Sequence, residues 1–149
     1  MKGKILAVFS CCGKTHYVLN NWSTIDCVDH DMYDWKFRGN LEQEWCRYYK
    51  GRMIYLKQKF DYIFVNAIPE IIHILYPSKG DVVIYPQKQL KQEWLERAII
   101  RNNNNYDGFP KILDNNWDNW IDACEKYEGE KHILLSGQYL SNVMVNLTI

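Results

Sequence analysis

Five short runs, residues 4–9, 24–28, 62–65, 82–85 and 132–135, are rich in apolar and β-forming side chains. They are separated by stretches whose apolar residues recur every three or four positions, the spacing of helices. Within Tyr62-Ile63-Phe64-Val65 and Val82-Val83-Ile84-Tyr85 there is no polar alternation. Such strands need cover on both faces, which a parallel sheet between helical layers provides. The expected architecture is therefore α/β, a five-stranded, mostly parallel sheet with helices on both faces, and 149 residues suffice for one domain with a single core.

The intervening segments supply the helices. Residues 14–21 form the first, ended by Asn20-Asn21, and Leu41, Trp45, Tyr49, Met53, Leu56 and Phe60 draw one stripe along a long second helix. Pro69 can start another, with Ile71, Ile72 and Leu75 inward and Pro77 and Gly80 beyond its end. From 88 to 101, Leu90, Trp94 and Ala98 share one face while Glu93, Arg97 and Arg101 share another. Asp114 is read as the cap of a helix that turns Trp117, Trp120, Ile121, Cys124 and Tyr127 inward, and residues 140–145 close the chain as a helix or strand. Asn102 to Asn105 reads as a loop.

Right-handed crossovers bring the loops after each parallel strand to one edge of the sheet. At that edge, after the first strand, stands Val8-Phe9-Ser10-Cys11-Cys12-Gly13-Lys14-Thr15. It keeps the Gly-Lys-Thr end of the phosphate-loop pattern G-x-x-x-x-G-K-[ST] and puts Val8 at the first glycine. Backbone N–H groups of such a loop and the helix N-terminus beyond it favour an anion. Gly13 lets the chain close around it, Lys14 brings a point charge, and Thr15 a hydroxyl suited to magnesium. Val8 requires only a negative φ, which a strand end has. A lysine in an ordinary solvated loop is the alternative.

The same edge collects other polar groups. Asp29 and Asp31 follow the second strand and could face one way, toward a metal or an attacking hydroxyl, or serve as turn formers. Asn66 ends the third strand, where an acid would complete a metal site, so metal holding falls to Thr15 and the aspartates. Lys88, Lys91, Arg97 and Arg101 follow the fourth strand; Arg97 and Arg101 lie one turn apart, either to stabilise a migrating phosphoryl group or as a solvated face with a Glu93–Arg97 pair. Arg38, Arg47 and Arg52 lie near the second helix, to read a second phosphate or to serve the surface. A helix N-terminus lowers thiol pKa values, so Cys11 or Cys12 is either reactive or simply small. His16, His30, His73 and His132 lack metal-ligand spacing and are read as structural.

Lys plus Arg equals Asp plus Glu at 18 each, so no overall field draws the chain to nucleic acid or an anionic membrane. Five cysteines without a C-x-x-C pair point to a reducing compartment, with the cytoplasm as the expected location. The first apolar run is broken at Gly13 before it could act as a signal peptide or membrane span.

The phosphate loop, together with Asp29-His30-Asp31 and Trp35, the run from Asp61 to Val65, Tyr85-Pro86, the segment from Leu90 to Arg97, the segment from Asn115 to Ile121, and the segment from Ser136 to Leu140, resembles the small P-loop nucleoside and nucleotide kinases, a group that includes adenylate kinase and shikimate kinase. More specifically, the order of motifs is similar to that of short bacteriophage-encoded nucleotide kinase-like proteins. The resemblance implies a three-layer P-loop NTPase fold and an ATP-dependent phosphotransferase, with magnesium ATP as donor and a nucleoside or deoxynucleoside monophosphate as acceptor. It implies that Ser10, Cys11, Cys12, Gly13, Lys14 and Thr15 hold the phosphates and that Ser136 and Gly137 lie by the adenine. Asp29, Asp31, Trp35 and Arg38 would take the acceptor side, Thr15 and Asp31 the metal, and Lys14, Asp29, Arg97 and Arg101 the chemistry, with a short lid around 87–106. A homodimer is left open. The chain departs from the pattern at Val8, Asn66 and the bulky Cys11-Cys12. The rival expectation is a nucleotide-binding protein without turnover that acts through a partner; a kinase of nucleic-acid ends fits poorly with zero net charge.

Overall fold

A computed structural model describes residues 3–29 and 42–147. The middle strand is β1 (Lys4–Val8), with β3 (Tyr62–Asn66) on one side and β4 (Val82–Pro86) on the other. β2 (Cys27–Asp29) lies outside β3 and β5 (Glu130–Leu134) outside β4, so the five-stranded order is β2-β3-β1-β4-β5. Every pairing is parallel, and Val8 lies opposite both Asn66 and Ile84.

Successive strand residues point to opposite faces. Ile5 to Val8, Ile63 to Val65 and all of β4 are buried without a break, so both faces of the three inner strands are covered. The helices that cover them are α1 (Lys14–Asn21), α2 (Glu42–Lys59), the one-turn α3 (Pro69–Ile72), α4 (Lys91–Arg101), α5 (Phe109–Lys126) and α6 (Leu140–Leu147). α1 and α6 touch one another; α5 packs against α3, α4 and β4. Phe9 meets the edges of Trp117 and Trp120 at centroid distances of 5.3 and 6.3 Å, and Tyr17 meets Phe64 at 5.7 Å. These offset, edge-on pairs suit the aromatic quadrupole and explain much of the chain's aromatic load as core.

Several boundaries differ from the sequence expectations. The second strand comes later than expected, and the fifth begins at Glu130, ahead of its apolar run, because the backbone pairing with β4 extends to an exposed edge residue. The closing segment is helical. Asp114 is not a cap: α5 begins at Phe109, after Gly108 at φ 99° and with Pro110 in its first turn. Asp114 instead sits inside α5, where it pairs with Lys91 at 2.8 Å and accepts from the Tyr106 hydroxyl at 2.6 Å. The Asn102 to Asn105 loop is confirmed, with Asn103 and Asn104 at φ 58° and 59°, a conformation asparagine tolerates.

At the opposite end of the sheet, Asp81 is fully buried beside Lys57, which is 2% exposed. The ammonium lies 2.8 Å from one carboxylate oxygen and 3.1 Å from the other. The same carboxylate accepts from the backbone N–H groups of Ile5 at 3.0 Å and Tyr76 at 2.9 Å, tying α2, β1 and the approach to β4. Among the described residues, no helix is long and apolar enough to cross a membrane.

Candidate active site

β1 ends at Val8, whose φ is not positive, so the strand runs into the loop without needing a glycine there. Gly13 carries the sharp turn instead. Its φ is 80°, and a Cβ at this position would stand 3.4 Å from the Tyr139 ring. Cys11 is also left-handed, at φ 61°, a conformation that costs a non-glycine residue about 1 kcal/mol. Among the described residues, the amides of Gly13, Lys14 and Thr15 have no acceptor, as expected for the first turn of α1, and no side chain caps that helix. Unpaired N–H groups at a helix N-terminus form the cradle that favours an anion.

Asp29, at the end of β2, reaches this turn. Its carboxylate forms an ion pair with the Lys14 ammonium and accepts from the Thr15 hydroxyl at 2.8 Å. The structure thus brings together Gly13, Lys14, Thr15 and Asp29. Asp31, Trp35 and Arg38 lie outside the described residues, as does His30.

Above the loop is a cavity of about 680 Å³. Lys14, Thr15, His16, Asn66, Arg101 and Asn102 contribute its polar lining, and Phe9, Ile68, Phe109, Trp120 and Tyr139 its apolar lining. A second cavity, of about 480 Å³, lies between α1 and the start of α6 and shares Gly13, His16 and Tyr139 with the first. Both are of the size that takes small organic ligands.

Arg97 and Arg101 both border the larger cavity but are held differently. Arg101 lies near Cys11. Arg97 is only 12% exposed, stacked between the Trp94 ring at 3.8 Å and the Tyr139 ring at 4.0 Å. Its guanidinium donates to the backbone oxygens of Cys11 at 3.2 Å and Gln138 at 2.9 Å, and to Glu93 at 3.3 Å. The segment expected as a lid is anchored in the core: Trp94, Leu95 and Ala98 are buried, and α4 packs on α5.

Ser136 and Gly137 are not part of either cavity wall. Both serve Glu93, the hydroxyl of Ser136 donating at 2.5 Å and the amide of Gly137 at 3.0 Å, and these bonds hold the Glu93 carboxyl below the ordinary carboxylate range. The neighbouring Tyr139 lines both cavities. Cys12 points into the core, and burial pushes its thiol up to about 12; burial also raises Cys11, against the opposing pull of Arg101 and Arg97. At both, burial is the largest influence and works against the thiolate that a nucleophile needs.

The donors present suit a phosphate ester. Lys14 and the loop amides match phosphate oxygens, and Thr15 with Asp29 offers oxygen ligands for a hard cation. Among the described residues, no cluster of three or more His, Cys, Asp or Glu side chains is placed to hold a metal by itself, so a magnesium ion would rely on Thr15, Asp29 and the phosphates. Tyr139, which lines both cavities, went unnoticed as a site residue because its ring partner Arg97 is distant in sequence. No protein-family model matches this chain, and no curated protein matches it.

Proposed function

We propose that this chain is a P-loop phosphotransferase of the small nucleotide-kinase type, moving the γ-phosphoryl group of ATP to a nucleoside or deoxynucleoside monophosphate. The observation that carries the reading is the convergence of Gly13, Lys14, Thr15 and Asp29 at the end of the middle parallel strand, with loop amides that have no acceptor among the described residues. The β2-β3-β1-β4-β5 order is compatible with a three-layer P-loop fold and supports the assignment.

In this reading the loop amides and Lys14 bind the donor's outer phosphates, and Arg101 offsets charge that spreads over the equatorial oxygens as the acceptor oxygen forms its bond to phosphorus and the bond to the leaving diphosphate breaks. Thr15 and Asp29 would hold a magnesium ion, which would supply further charge neutralisation when bound. Asp29 also orients the acceptor hydroxyl or phosphate. The two cavities that meet at Gly13, His16 and Tyr139 give room for a donor and an acceptor on either side of the loop, which favours transfer over simple binding. Asn66, opposite Val8 at the end of β3, favours the second reading, a nucleotide-binding protein without turnover.

The test is transfer of labelled γ-phosphate from magnesium ATP to a panel of nucleoside monophosphates, nucleosides and oligonucleotide ends, with Lys14→Ala as control. Label on a nucleotide acceptor, lost in the variant, is expected. ATP binding without label on any acceptor would replace the kinase reading with the second one.

A further inference from the structure

The carbonyls of Ser10, Cys11 and Cys12 are each bonded by a group from elsewhere in the fold. Trp94 Nε1 donates to Ser10 O at 3.1 Å, Arg97 Nη1 to Cys11 O at 3.2 Å, and the backbone N–H of Leu140 to Cys12 O at 2.7 Å. The peptides are trans, so each carbonyl and the N–H of the same peptide unit point in opposite directions. Fixing three successive carbonyls outward therefore turns the amides of Cys11, Cys12 and Gly13 the other way. Those three bonds also hold Cys11 in its left-handed conformation, which a free loop would relax.

We propose that Trp94, Arg97 and the Leu140 amide form a carbonyl clamp that preorganises the anion cradle, with Arg97 as a positioning residue that acts through the loop and does not touch phosphate. This rests on the phosphate reading of the loop given above. It assigns to Arg97 a role different from that of a charge-stabilising arginine: Arg97 borders the cavity together with Arg101, but its guanidinium is committed to Cys11 O, Gln138 O and Glu93. Arg97's contacts support it: stacking between Trp94 and Tyr139 and a bond to Gln138 O leave it held on every side the clamp requires. Glu93 completes the device, bonding Arg97 while it receives Ser136 and Gly137, so that α4, the phosphate loop and the turn before α6 are tied as one unit. The clamp also explains how the loop dispenses with its first glycine: the path of the chain is set from outside.

The probe is inorganic tripolyphosphate, which has no base or sugar, titrated calorimetrically into wild type, Trp94→Phe, Arg97→Lys, Arg97→Met and Arg101→Met, alongside ATP. Trp94→Phe keeps an aromatic ring under Arg97 and removes the donor together with part of a fully buried indole, so some loss of melting temperature accompanies it. It should weaken tripolyphosphate and ATP by the same factor, about three- to tenfold for one lost hydrogen bond, at temperatures where the variant stays folded. Arg97→Lys should lose affinity as Arg97→Met does, because an ammonium keeps the charge but cannot stack and bond two carbonyls in one plane. In the ligand-free protein, the amide resonances of Cys11 and Gly13 should broaden by exchange in Trp94→Phe, which a merely stabilising tryptophan would not cause. Full affinity and sharp loop resonances in Trp94→Phe would overturn the clamp and leave the phosphate reading standing. Full affinity in Arg97→Lys with loss in Arg97→Met would overturn it too, by showing that Arg97 acts as a charge on the ligand. Absence of tripolyphosphate and ATP binding in folded wild type would overturn the phosphate reading and the clamp's role with it.

Discussion

Asp81→Ala should be among the most damaging single substitutions in this chain. The carboxylate is fully buried and serves three donors at once: the Lys57 ammonium and the amides of Ile5 and Tyr76. Removing it strands a buried cation, which costs about 3–5 kcal/mol when one partner of a buried pair is lost. The two orphaned amides put the value at the upper end of that range. Against a total stability of roughly 5–15 kcal/mol this is a large fraction. At about 2–4 °C per kcal/mol for a chain of this size, the melting temperature should fall by roughly 10–20 °C. Urea titration with linear extrapolation measures the free-energy change directly. Lys57→Met in the Asp81→Ala background should recover at least about 1 kcal/mol, because the stranded charge is gone while the orphaned amides remain. A loss below about 1 kcal/mol for Asp81→Ala, or a double variant no more stable than the single, would refute the reasoning.

Asp29→Asn should release Lys14 and Thr15 from their shared carboxylate; binding of metal-free tripolyphosphate should tighten about three- to tenfold while magnesium-dependent transfer falls by about a hundredfold, checked by calorimetry with and without chelator and by the label assay. Gly13→Ala places a Cβ in the left-handed region and should cost about 1–2 kcal/mol of stability by urea titration, together with a measurable loss of ATP affinity. Burial raises the Cys12 thiol from 9.0 to about 12, so the native chain keeps a proton that the unfolded chain releases. The stability this gives is full below about pH 9 and is lost as the pH climbs toward about 12, so Cys12→Ala should flatten the alkaline arm of a stability–pH profile.

The parts of the fold that were legible in the sequence are those fixed by local chemistry. Apolar runs with no polar alternation announced β1, β3 and β4 because both faces of those strands are buried. Gly13-Lys14-Thr15 announced its turn because glycine takes φ 80° without the strain a Cβ would add there. What stayed hidden depends on partners far along the chain. Lys57 and Asp81 are 24 positions apart, so no local pattern marks the buried pair they form. Arg97 reads either as a charge for a migrating phosphoryl group or as part of a solvated face; its carbonyl partners, which neither reading includes, lie 86 and 41 positions away. The start of α5 was misplaced because Asp114 has the chemistry of a cap, whereas Gly108 and Pro110 set the boundary through backbone geometry. For Cys11 and Cys12 the sequence left a reactive and a merely small residue open, because the helix N-terminus is visible in sequence and the burial that raises both thiols is not.

The most direct test of the loop as a phosphate cradle is titration of nitrogen-labelled protein with magnesium ATP, followed at the backbone amides. Saturable shifts, largest at Gly13, Lys14 and Thr15, are expected, and they should vanish in a Lys14→Ala variant whose unfolding midpoint matches wild type. Shifts that cluster away from residues 8–15, or a folded wild type whose loop amides do not respond, would contradict it.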